Sequence, residues 1–425
     1  MAVKNPYHSI DVPRAHPLRR PGSMGRRLFA VLVLSALAVG CGSRGASDSP
    51  AKIIAEINAK KSAALAHFEN GDYNGAKELL QPLATRKVGD PQVYSMLARV
   101  QWRLGEHDDA ISNYESAMRL DYYDPITHME LAQLLVEIGK IGRALTEFEL
   151  AVQYSERDPL PHYNYGLALY QLKRRNDAVT QWEIAYSLDP GNPKHAEAMG
   201  IGLSGDDDEA ARKHFEKAIE LGADDPSFHN NYGLFLQRLG DYEGAESEFQ
   251  RSLEQDPANP TYRFNLGLLF LASRNFAAAV TLWKNLHTES PAEPAYRIYL
   301  ARAYLESGRF RSVIDVLTEW LARVEENPAL GRSSIDVEGG RLPALDEAHD
   351  LLAMAYRGVG DLEKAGEYMR KALELQPDNV VHLINYGVIL AESGKIPEAR
   401  AQWERVLEID PENATARENL SAFEP

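Results

Sequence analysis

Two adjacent stretches contain residue types that could do chemistry. Residues 200–205 read GIGLSG, the glycine pattern of a dinucleotide-binding loop, which requires a strand before it and a helix after it. Here the pattern falls in the fifth unit of the repeated sequence described below, in its first helix and turn, where the repeat pattern expects a small residue at Gly200. Residues 206–209 read DDDE and suggest calcium, but they lack alternating ligand spacing and precede a helix, whose dipole alone favours acidic residues. Neither stretch predicts a cofactor or metal site.

Motifs of other catalytic classes are absent from the sequence. It contains no Walker loop, no His-Glu-x-x-His zinc helix and no Gly-x-Ser-x-Gly elbow. The 62 acidic residues are spread along the chain, so chance carboxylate pairs identify no acid–base site. The 12 histidines are scattered, and we expect His162 and His229, which take equivalent positions in the repeated units described below, to pack beside helices. We therefore predict no catalytic residues, no metal, no cofactor and no enzymatic activity.

The charge and the cysteine count exclude further classes. The chain has 46 basic and 62 acidic residues, a formal charge of −16. Nucleic-acid affinity comes mainly from Lys and Arg that neutralise phosphates, so we expect no nucleic-acid partner. A single cysteine, Cys41, excludes an intrachain disulfide framework and a cysteine-rich zinc site.

The first 40 residues are typical of an export signal. Arg26 and Arg27 precede thirteen uncharged residues, which are too few to span a bilayer but match a signal-peptide core. Residues 37–41, LAVGC, resemble the lipobox of a bacterial lipoprotein signal. The resemblance implies that Cys41 becomes the mature N-terminus and carries several acyl chains, which hold a protein firmly on a membrane. An incidental cysteine after an ordinary secretory signal is the alternative, and Met24 is a candidate initiator.

The predicted mature chain is still more acidic. Removing residues 1–40 removes six basic residues and one acidic residue, so the charge becomes −21. Such a surface avoids anionic headgroups, so we expect lipid and not electrostatics to anchor it. Residues 41–50 then form a short lipidated tether.

From residue 51 onward the sequence repeats itself. Turn glycines recur, several of them 34 residues apart, at Gly71, Gly105, Gly139, Gly240, Gly308, Gly360 and Gly394. A small residue follows five positions later, a bulky residue four after that, and another small residue three further on. The bulky position is held by Tyr114, Phe148, Trp182, Phe215, Phe249, Trp283 and Trp403. This spacing places the three side chains on one face of a helix, where the small residues allow a close helical neighbour.

The pattern resembles the tetratricopeptide repeat family over residues 51–425. The resemblance implies an all-α fold: a right-handed superhelical α-solenoid of about ten helix-turn-helix repeats, with a polar capping helix at residues 413–423. The fifth repeat is one residue short, and the eighth has Val313 and Trp320 where alanines are usual. Residues 327–343 form an insertion between the eighth and ninth repeats, either a solvated surface loop or a loop that touches a ligand.

The resemblance also implies where a partner binds. In this family the first helix of each repeat lines a concave wall, and its second, fifth, sixth, ninth and twelfth positions are exposed. Those positions give the partner-binding candidates Trp102, Tyr163, Asn164, Asn230, Asn231, Phe264, Asn265 and Asn385. Asparagine recurs at the sixth position, and its amide both donates and accepts, so a ladder of such residues can hold an extended peptide by its backbone. Asparagine is also the family's favoured residue there in repeats without a ligand.

The combined prediction is a membrane-anchored lipoprotein that binds proteins. We expect it to face the periplasm, in the outer membrane, as a scaffold or assembly factor for an envelope machine of the pilus–secretin or polysaccharide-export type. Two alternatives are an adaptor that recruits peptidoglycan hydrolases or proteases, and a glycan-binding protein or enzyme with an unrecognised site. A glycan groove is expected to expose aromatic rings in a row.

Overall fold

The computed structural model describes residues 50–331 and 345–423. Within them the chain forms 21 α-helices and one 3₁₀ helix, and no strand. The helices that form pairs in the first half are α1 (Pro50–Glu69), α2 (Tyr73–Thr85), α3 (Pro91–Arg103), α4 (His107–Leu120), α5 (Pro125–Glu137), α6 (Ile141–Tyr154), α7 (Pro159–Gln171), α8 (Arg175–Leu188), α9 (Pro193–Leu203) and α10 (Asp208–Glu220).

The second half continues the same pairing. Its helices are α11 (Pro226–Arg238), α12 (Tyr242–Gln255), α13 (Pro260–Ala272), α14 (Phe276–Glu289), α15 (Pro294–Glu306), α16 (Phe310–Glu326), α17 (Leu345–Gly358), α18 (Leu362–Leu375), α19 (Val380–Glu392), α20 (Ile396–Ile409) and α21 (Ala414–Ala422). The 3₁₀ helix, Pro328–Gly331, follows α16. The predicted all-α array of ten helical repeats with a C-terminal helix is confirmed.

The chain divides into two compact units, which we describe separately. The N-terminal unit contains α1–α10 and ends at Asp224, and the C-terminal unit begins at Asp225 and contains α11–α21. In both units the two helices of a repeat pack against each other, and the first helix of one repeat also contacts the first helix of a neighbour in its unit. We call these first helices, α1, α3, α5, α7 and α9 in one unit and α11, α13, α15, α17 and α19 in the other, the first-helix rows.

Local sequence sets both ends of the first helices. An acidic or amide residue caps most of them, its side chain accepting a backbone N–H, and proline often follows at the first helical position. The caps are Asp90, Asp124, Asp158, Asn192, Asp225, Asn259, Glu293 and Asn379, and Asn413 caps α21 in the same way. The turn after the helix needs a left-handed residue, and Gly105 provides it with a φ of +77°. In the fourth and seventh repeats Lys173 and Arg274 adopt that conformation, with φ of +62° and +61°.

The core of a repeat is a small residue facing an aromatic ring. A Cβ added at Gly387 would overlap the indole of Trp403, and one added at Gly233 would lie 2.9 Å from the ring of Phe249. The aromatic rings at this position are almost fully buried. The close approach therefore excludes larger first-helix residues and buries a large apolar area per repeat.

The eighth repeat reaches the same density with different residues. Val313 and Trp320, the residues that depart from the repeat pattern, are both buried in one cluster with Leu317 and Met369. Their helix, α16, has 17 residues, three more than α14 or α18. The departure is thus a repacked interface between α16 and the ninth repeat. The large apolar side chains of the longer helix occupy the space that smaller alanines would leave unfilled.

Candidate functional site

The predicted partner-binding residues lie on the first-helix rows, and the structure shows how each is held. In the N-terminal unit Asn164, at the sixth position of α7, is buried. Its Nδ2 donates to the Leu160 carbonyl at 2.9 Å, and its Oδ1 accepts from Gln133 Nε2 at 2.8 Å. The amide therefore links α7 to α5 of the preceding repeat.

Three asparagines form a buried network in the C-terminal unit. Asn265 Nδ2 on α13 donates to Asn230 Oδ1 on α11 at 2.7 Å. Asn230 Nδ2 in turn lies 3.4 Å from its acceptor, Asn231 Oδ1. All three side chains are at most 2% exposed. A buried amide network of this kind fixes the register of two neighbouring helices, since each bond is directional.

Asn385 makes the equivalent contact at the end of the row. Its Nδ2 donates to Asp350 Oδ1 on α17 at 2.9 Å, and the side chain is half-buried. Asp350 also lies 3.6 Å from His382 Nδ1, while Asp346 lies 3.2 Å from His382 Nε2. Burial lowers the pKa of His382, but hydrogen bonds and charges from Asp350 and Asp346 outweigh it and raise the pKa above its usual value.

The aromatic candidates divide into two groups. Tyr163 and Phe264 are buried, Tyr163 against the His195 ring with centroids 5.4 Å apart, and Phe264 edge-on to Trp283 at 5.2 Å. Trp102 is half-buried, and its Nε1 donates to Glu137 Oε2 at 2.7 Å. Of the three, Trp102 retains an accessible ring on a first helix.

The expectation that the fifth and sixth positions are exposed is wrong for six candidates. They are Tyr163, Asn164, Asn230, Asn231, Phe264 and Asn265. Neighbouring first helices approach closely enough to cover these side chains, and Asn164, Asn230 and Asn265 bond to the neighbouring first helix. We call such a polar contact between two first helices a joint. Their contact with a partner stays a prediction, and such contact would require the side chains to exchange the bonds they already make.

One joint, between α3 and α5, was not predicted from the sequence. Glu130 holds the sixth position of α5, where asparagine is usual, and it forms a salt bridge with Arg99 on α3. The Glu130 side chain is buried and that of Arg99 is partly exposed. Burial raises the pKa of Glu130, and the charge of Arg99 opposes that rise. The spacing could have revealed it: Arg99 and Glu130 are 31 residues apart, as are Gln133 and Asn164.

The buried histidines follow a second regular pattern. His162 Nδ1 lies 2.8 Å from Gln181 Oε1, and His229 Nδ1 lies 2.6 Å from Glu248 Oε2, each partner 19 residues further on. The prediction that these two histidines pack beside helices is confirmed by their burial. Their partners lie on the second helix of the same repeat, so they join the two helices of a pair.

The two stretches that could have done chemistry are structural. Gly200 lies inside α9, and a Cβ there would come within 2.8 Å of the Phe215 ring. Asp207 caps α10 and accepts the Ala210 N–H at 3.0 Å. Among residues 50–331 and 345–423, no three His, Cys, Asp or Glu side chains gather as metal ligands do.

Other predicted features lie outside the described residues. Cys41, the signal segment and most of the tether precede residue 50, and residues 332–343, most of the 327–343 insertion, lie between the two described ranges. Across the part of the chain that is described, every helix is too short or too polar to cross a bilayer.

Comparison with known proteins matches the repeats directly. The tetratricopeptide repeat family model matches residues 62–125, 129–193, 207–260 and 264–328, and related models of the same repeat match 346–379 and 380–405. A curated relative, protein O-mannosyl-transferase Tmtc2 of Drosophila melanogaster, is 32% identical over 90 residues. That match covers 19% of this chain and 9% of the relative's length.

Solved structures resemble the chain at low identity. Yeast Tom70 is 14% identical with a TM-score of 0.43, and the match covers 86% of this chain and 94% of Tom70. Pseudomonas aeruginosa PilF is 20% identical with a TM-score of 0.43, and the match covers 50% of this chain and 97% of PilF. Both similarities concern the fold.

Proposed function

Because the chain belongs to the tetratricopeptide repeat family, we propose that it is a membrane-anchored scaffold that binds proteins. The observation that carries the proposal is the run of family matches over more than half of the chain. Repeats of this kind present many similar surfaces side by side, which suits recognition of an extended partner segment.

The first-helix rows are the proposed binding surface. Their deepest polar residues are engaged between repeats, so the partner meets the half-buried positions nearer the helix ends. Trp102 offers an aromatic ring on α3. Gln237, at the twelfth position of α11, has a buried Oε1 without a hydrogen-bond partner among the described residues. The side chain would have to turn outward for a partner N–H to reach that acceptor, and the hydrogen bond would then satisfy it.

Photocrosslinking in cells tests this surface. A photoreactive amino acid is placed at position 102 or 237, with position 250 on the exposed face of α12 as the matched control. We expect one dominant protein to be captured from the first two positions and not from the control. Equal capture from all three would contradict a specific surface on the first helices.

The membrane anchor is the second element of the proposal. Lipid on Cys41 would hold the repeats on the outer membrane, facing the periplasm, where they would assemble an envelope machine of the pilus–secretin or polysaccharide-export type. The support is the LAVGC sequence at residues 37–41, behind a basic and then apolar segment. The identity of the captured protein distinguishes this from recruitment of a peptidoglycan hydrolase or protease.

Mass spectrometry of the mature protein tests the anchor. We expect an N-terminus at Cys41 with a mass increase for several acyl chains, and release of the Cys41→Ser variant from the membrane fraction. An unmodified cysteine, or a start at another residue, would refute lipid anchoring and leave the binding proposal untouched.

A further inference from the structure

Three tyrosine rings cluster on the surface of the N-terminal unit. Tyr122 and Tyr123 lie in the loop between α4 and α5 and are 51% and 71% exposed. Tyr154 ends α6, and its ring centroid lies 6.0 Å from that of Tyr122 and 5.2 Å from that of Tyr123. The Tyr122 and Tyr123 centroids are 5.8 Å apart. We call these three rings the tyrosine triad.

The loop that carries two of the rings departs from the chain's own pattern. Five equivalent loops place proline where Tyr122 stands, at Pro190, Pro257, Pro291, Pro377 and Pro411, and the loop after α6 has Glu156 there. At the position of Tyr123 they have Gly191, Ala258, Ala292, Asp378 and Glu412. The helix-to-helix turn therefore forms without aromatic residues, and the fold does not explain why two tyrosines are exposed here.

The tyrosine triad packs on the buried side chain of His128. The His128 ring, buried beneath it, lies 5.3 Å from the Tyr122 ring and 5.6 Å from the Tyr154 ring. His128 Nε2 lies 2.8 Å from the Tyr122 carbonyl oxygen, and Nδ1 lies 2.6 Å from Glu147 Oε2. These contacts hold the loop in place, so the rings form a preorganised surface and little entropy is lost when a ligand binds.

The surroundings of the triad are acidic. Asp121 and Glu156, in the two loops that carry or follow the rings, are exposed, and Arg157 is the one basic residue in those loops. Asp124 and Asp158 add two more carboxylates, each capping the helix that follows. A positive group near the rings would therefore meet favourable charge from both loops.

Ring geometry indicates which kind of ligand suits the surface. The planes meet at 88°, 66° and 76°, so the rings do not share the flat face on which a sugar stacks. A cation resting on the triangle of centroids would lie within the range of about 6 Å at which a ring face attracts it. Tyrosine rings beside carboxylates are thus better suited to a guanidinium or ammonium group than to a glycan.

We propose that the tyrosine triad, with Asp121 and Glu156, is a second docking surface that binds an arginine- or lysine-bearing segment of a partner protein. The surface lies on the loops between repeats, apart from the first-helix positions assigned to the main partner. Its charge complements a basic segment, and the exposed rings add contact area that charge alone does not give.

A loop exchange tests the proposal without disturbing the fold. Tyr122→Pro with Tyr123→Gly gives this loop the Pro-Gly pair that the chain uses at 190–191. Asp121 has φ −141° and ψ 91°, close to the −141° and 81° of Asp189, so a following proline fits. Tyr122→Phe with Tyr123→Phe keeps the rings, and Tyr242→Ala removes an exposed tyrosine elsewhere.

The probe is a fluorescent peptide of alternating arginine and glycine, compared with the same peptide carrying neutral citrulline. We expect the loop exchange to weaken arginine-peptide binding about tenfold, while the Phe pair and Tyr242→Ala change it less than twofold. The citrulline peptide is expected to bind wild type as weakly as the arginine peptide binds the loop-exchange variant.

Three results would overturn the proposal. One is equal affinity of the arginine peptide for wild type and the loop-exchange variant, which would assign the binding to net charge. Another is the absence of measurable binding to the wild-type protein. The third is binding of a chitin oligosaccharide that depends on Tyr122 and Tyr123 while arginine and citrulline peptides bind alike, which would assign the triad to glycan recognition.

Discussion

The contact between a small residue and an aromatic ring inside a repeat differs in kind from the polar bonds between the first helices of neighbouring repeats. Inside a repeat, a glycine or alanine meets an aromatic ring, as at Gly387 and Trp403, and the contact is apolar. Between repeats, the first helices are joined by bonds such as those from Asn265 to Asn230 and from Arg99 to Glu130. Burial of a ring contributes in proportion to area and tolerates small shifts, whereas a hydrogen bond depends on geometry. Apolar packing, which also runs between repeats around Val313 and Met369, therefore supplies most of the stability, and the polar bonds between first helices fix how neighbouring repeats align.

The largest effect is expected inside a repeat. Trp403→Ala should reduce the free energy of unfolding by about 3–5 kcal/mol, because it leaves a cavity beside Gly387. Urea denaturation followed by circular dichroism measures the loss, with Leu375→Ala, which truncates a half-exposed side chain, as the control. If Trp403→Ala lowers the free energy of unfolding by less than about 1 kcal/mol, the aromatic contacts inside a repeat do not supply the large share of stability assigned to them.

Breaking the charged joint should have the next largest effect. Glu130→Ala leaves the Arg99 guanidinium without its acceptor at a mostly buried position, at a cost of about 3 kcal/mol. Replacing both residues with methionine should recover most of that loss, since the cost comes from the unpaired charge. A double variant as unstable as Glu130→Ala would instead show that the pair itself stabilises the joint.

His349, inside a repeat, and His382, in a joint, should make opposite contributions to the pH dependence of the free energy of unfolding. His349 stacks on the Tyr368 ring inside the ninth repeat, and burial, aided by the charge of Lys371, lowers its pKa to about 4. The folded state then binds fewer protons than the unfolded state between about pH 6.5 and 4, so stability falls on acidification across this range. From pH 8 to pH 5 this loss is about 2 kcal/mol.

His382, in the joint, behaves in the reverse way. Its raised pKa means that its contribution is complete below about pH 6.5 and is lost as pH rises through the folded-state value. We expect His349→Gln to flatten the acid side of the stability profile, and His382→Gln to flatten the neutral side. If both substitutions flatten the same side, the two environments do not differ in the way proposed.

The amide joints should give the smallest effects. Asn265→Ala removes a buried donor to Asn230 and should cost about 1–2 kcal/mol, while Asn385→Ala, at a half-buried site, should cost about half as much. Thermal unfolding of both variants measures the difference. Binding of the partner identified by crosslinking should weaken for Asn265→Ala at a temperature where the variant remains folded. Unchanged binding would limit these asparagines to a structural role.

Helix boundaries were largely predictable from sequence because local chemistry determines them. An Asp-Pro or Asn-Pro pair marks the start of many first helices, and Gly105 and similar residues mark their ends. Burial at the sixth position was not predictable, since it depends on how closely the neighbouring helix approaches. The sequence shows that Asn265 repeats the position of Asn231, but not that Asn230 lies between them as its acceptor.

The exposure and clustering of the tyrosine rings in the loops could not be predicted from the sequence either. Tyr122 and Tyr123 stand where five other loops have proline followed by a residue that is not aromatic, and this is visible in the sequence. Their clustering with Tyr154 is not visible there, because it requires two loops to come together. The eighth repeat shows the opposite case. Val313 and Trp320 broke the sequence pattern, yet both are buried in an ordinary apolar cluster. Departures from a repeat pattern therefore identify positions of interest without indicating whether packing or binding explains them.

The joints connect residues about one repeat apart in the sequence, which has a consequence for how such a chain evolves. Donor and acceptor are 31 residues apart for Arg99 and Glu130, and 35 apart for Asn230 and Asn265 and for Asp350 and Asn385. Each joint involves only adjacent repeats, so duplication or loss of one complete repeat in the gene leaves the joints elsewhere in the array intact and changes the pairing at the new junction alone. A deletion within a repeat has no such protection. The array can thus gain or lose whole repeats during evolution. Its length changes while the packing inside each remaining repeat stays the same.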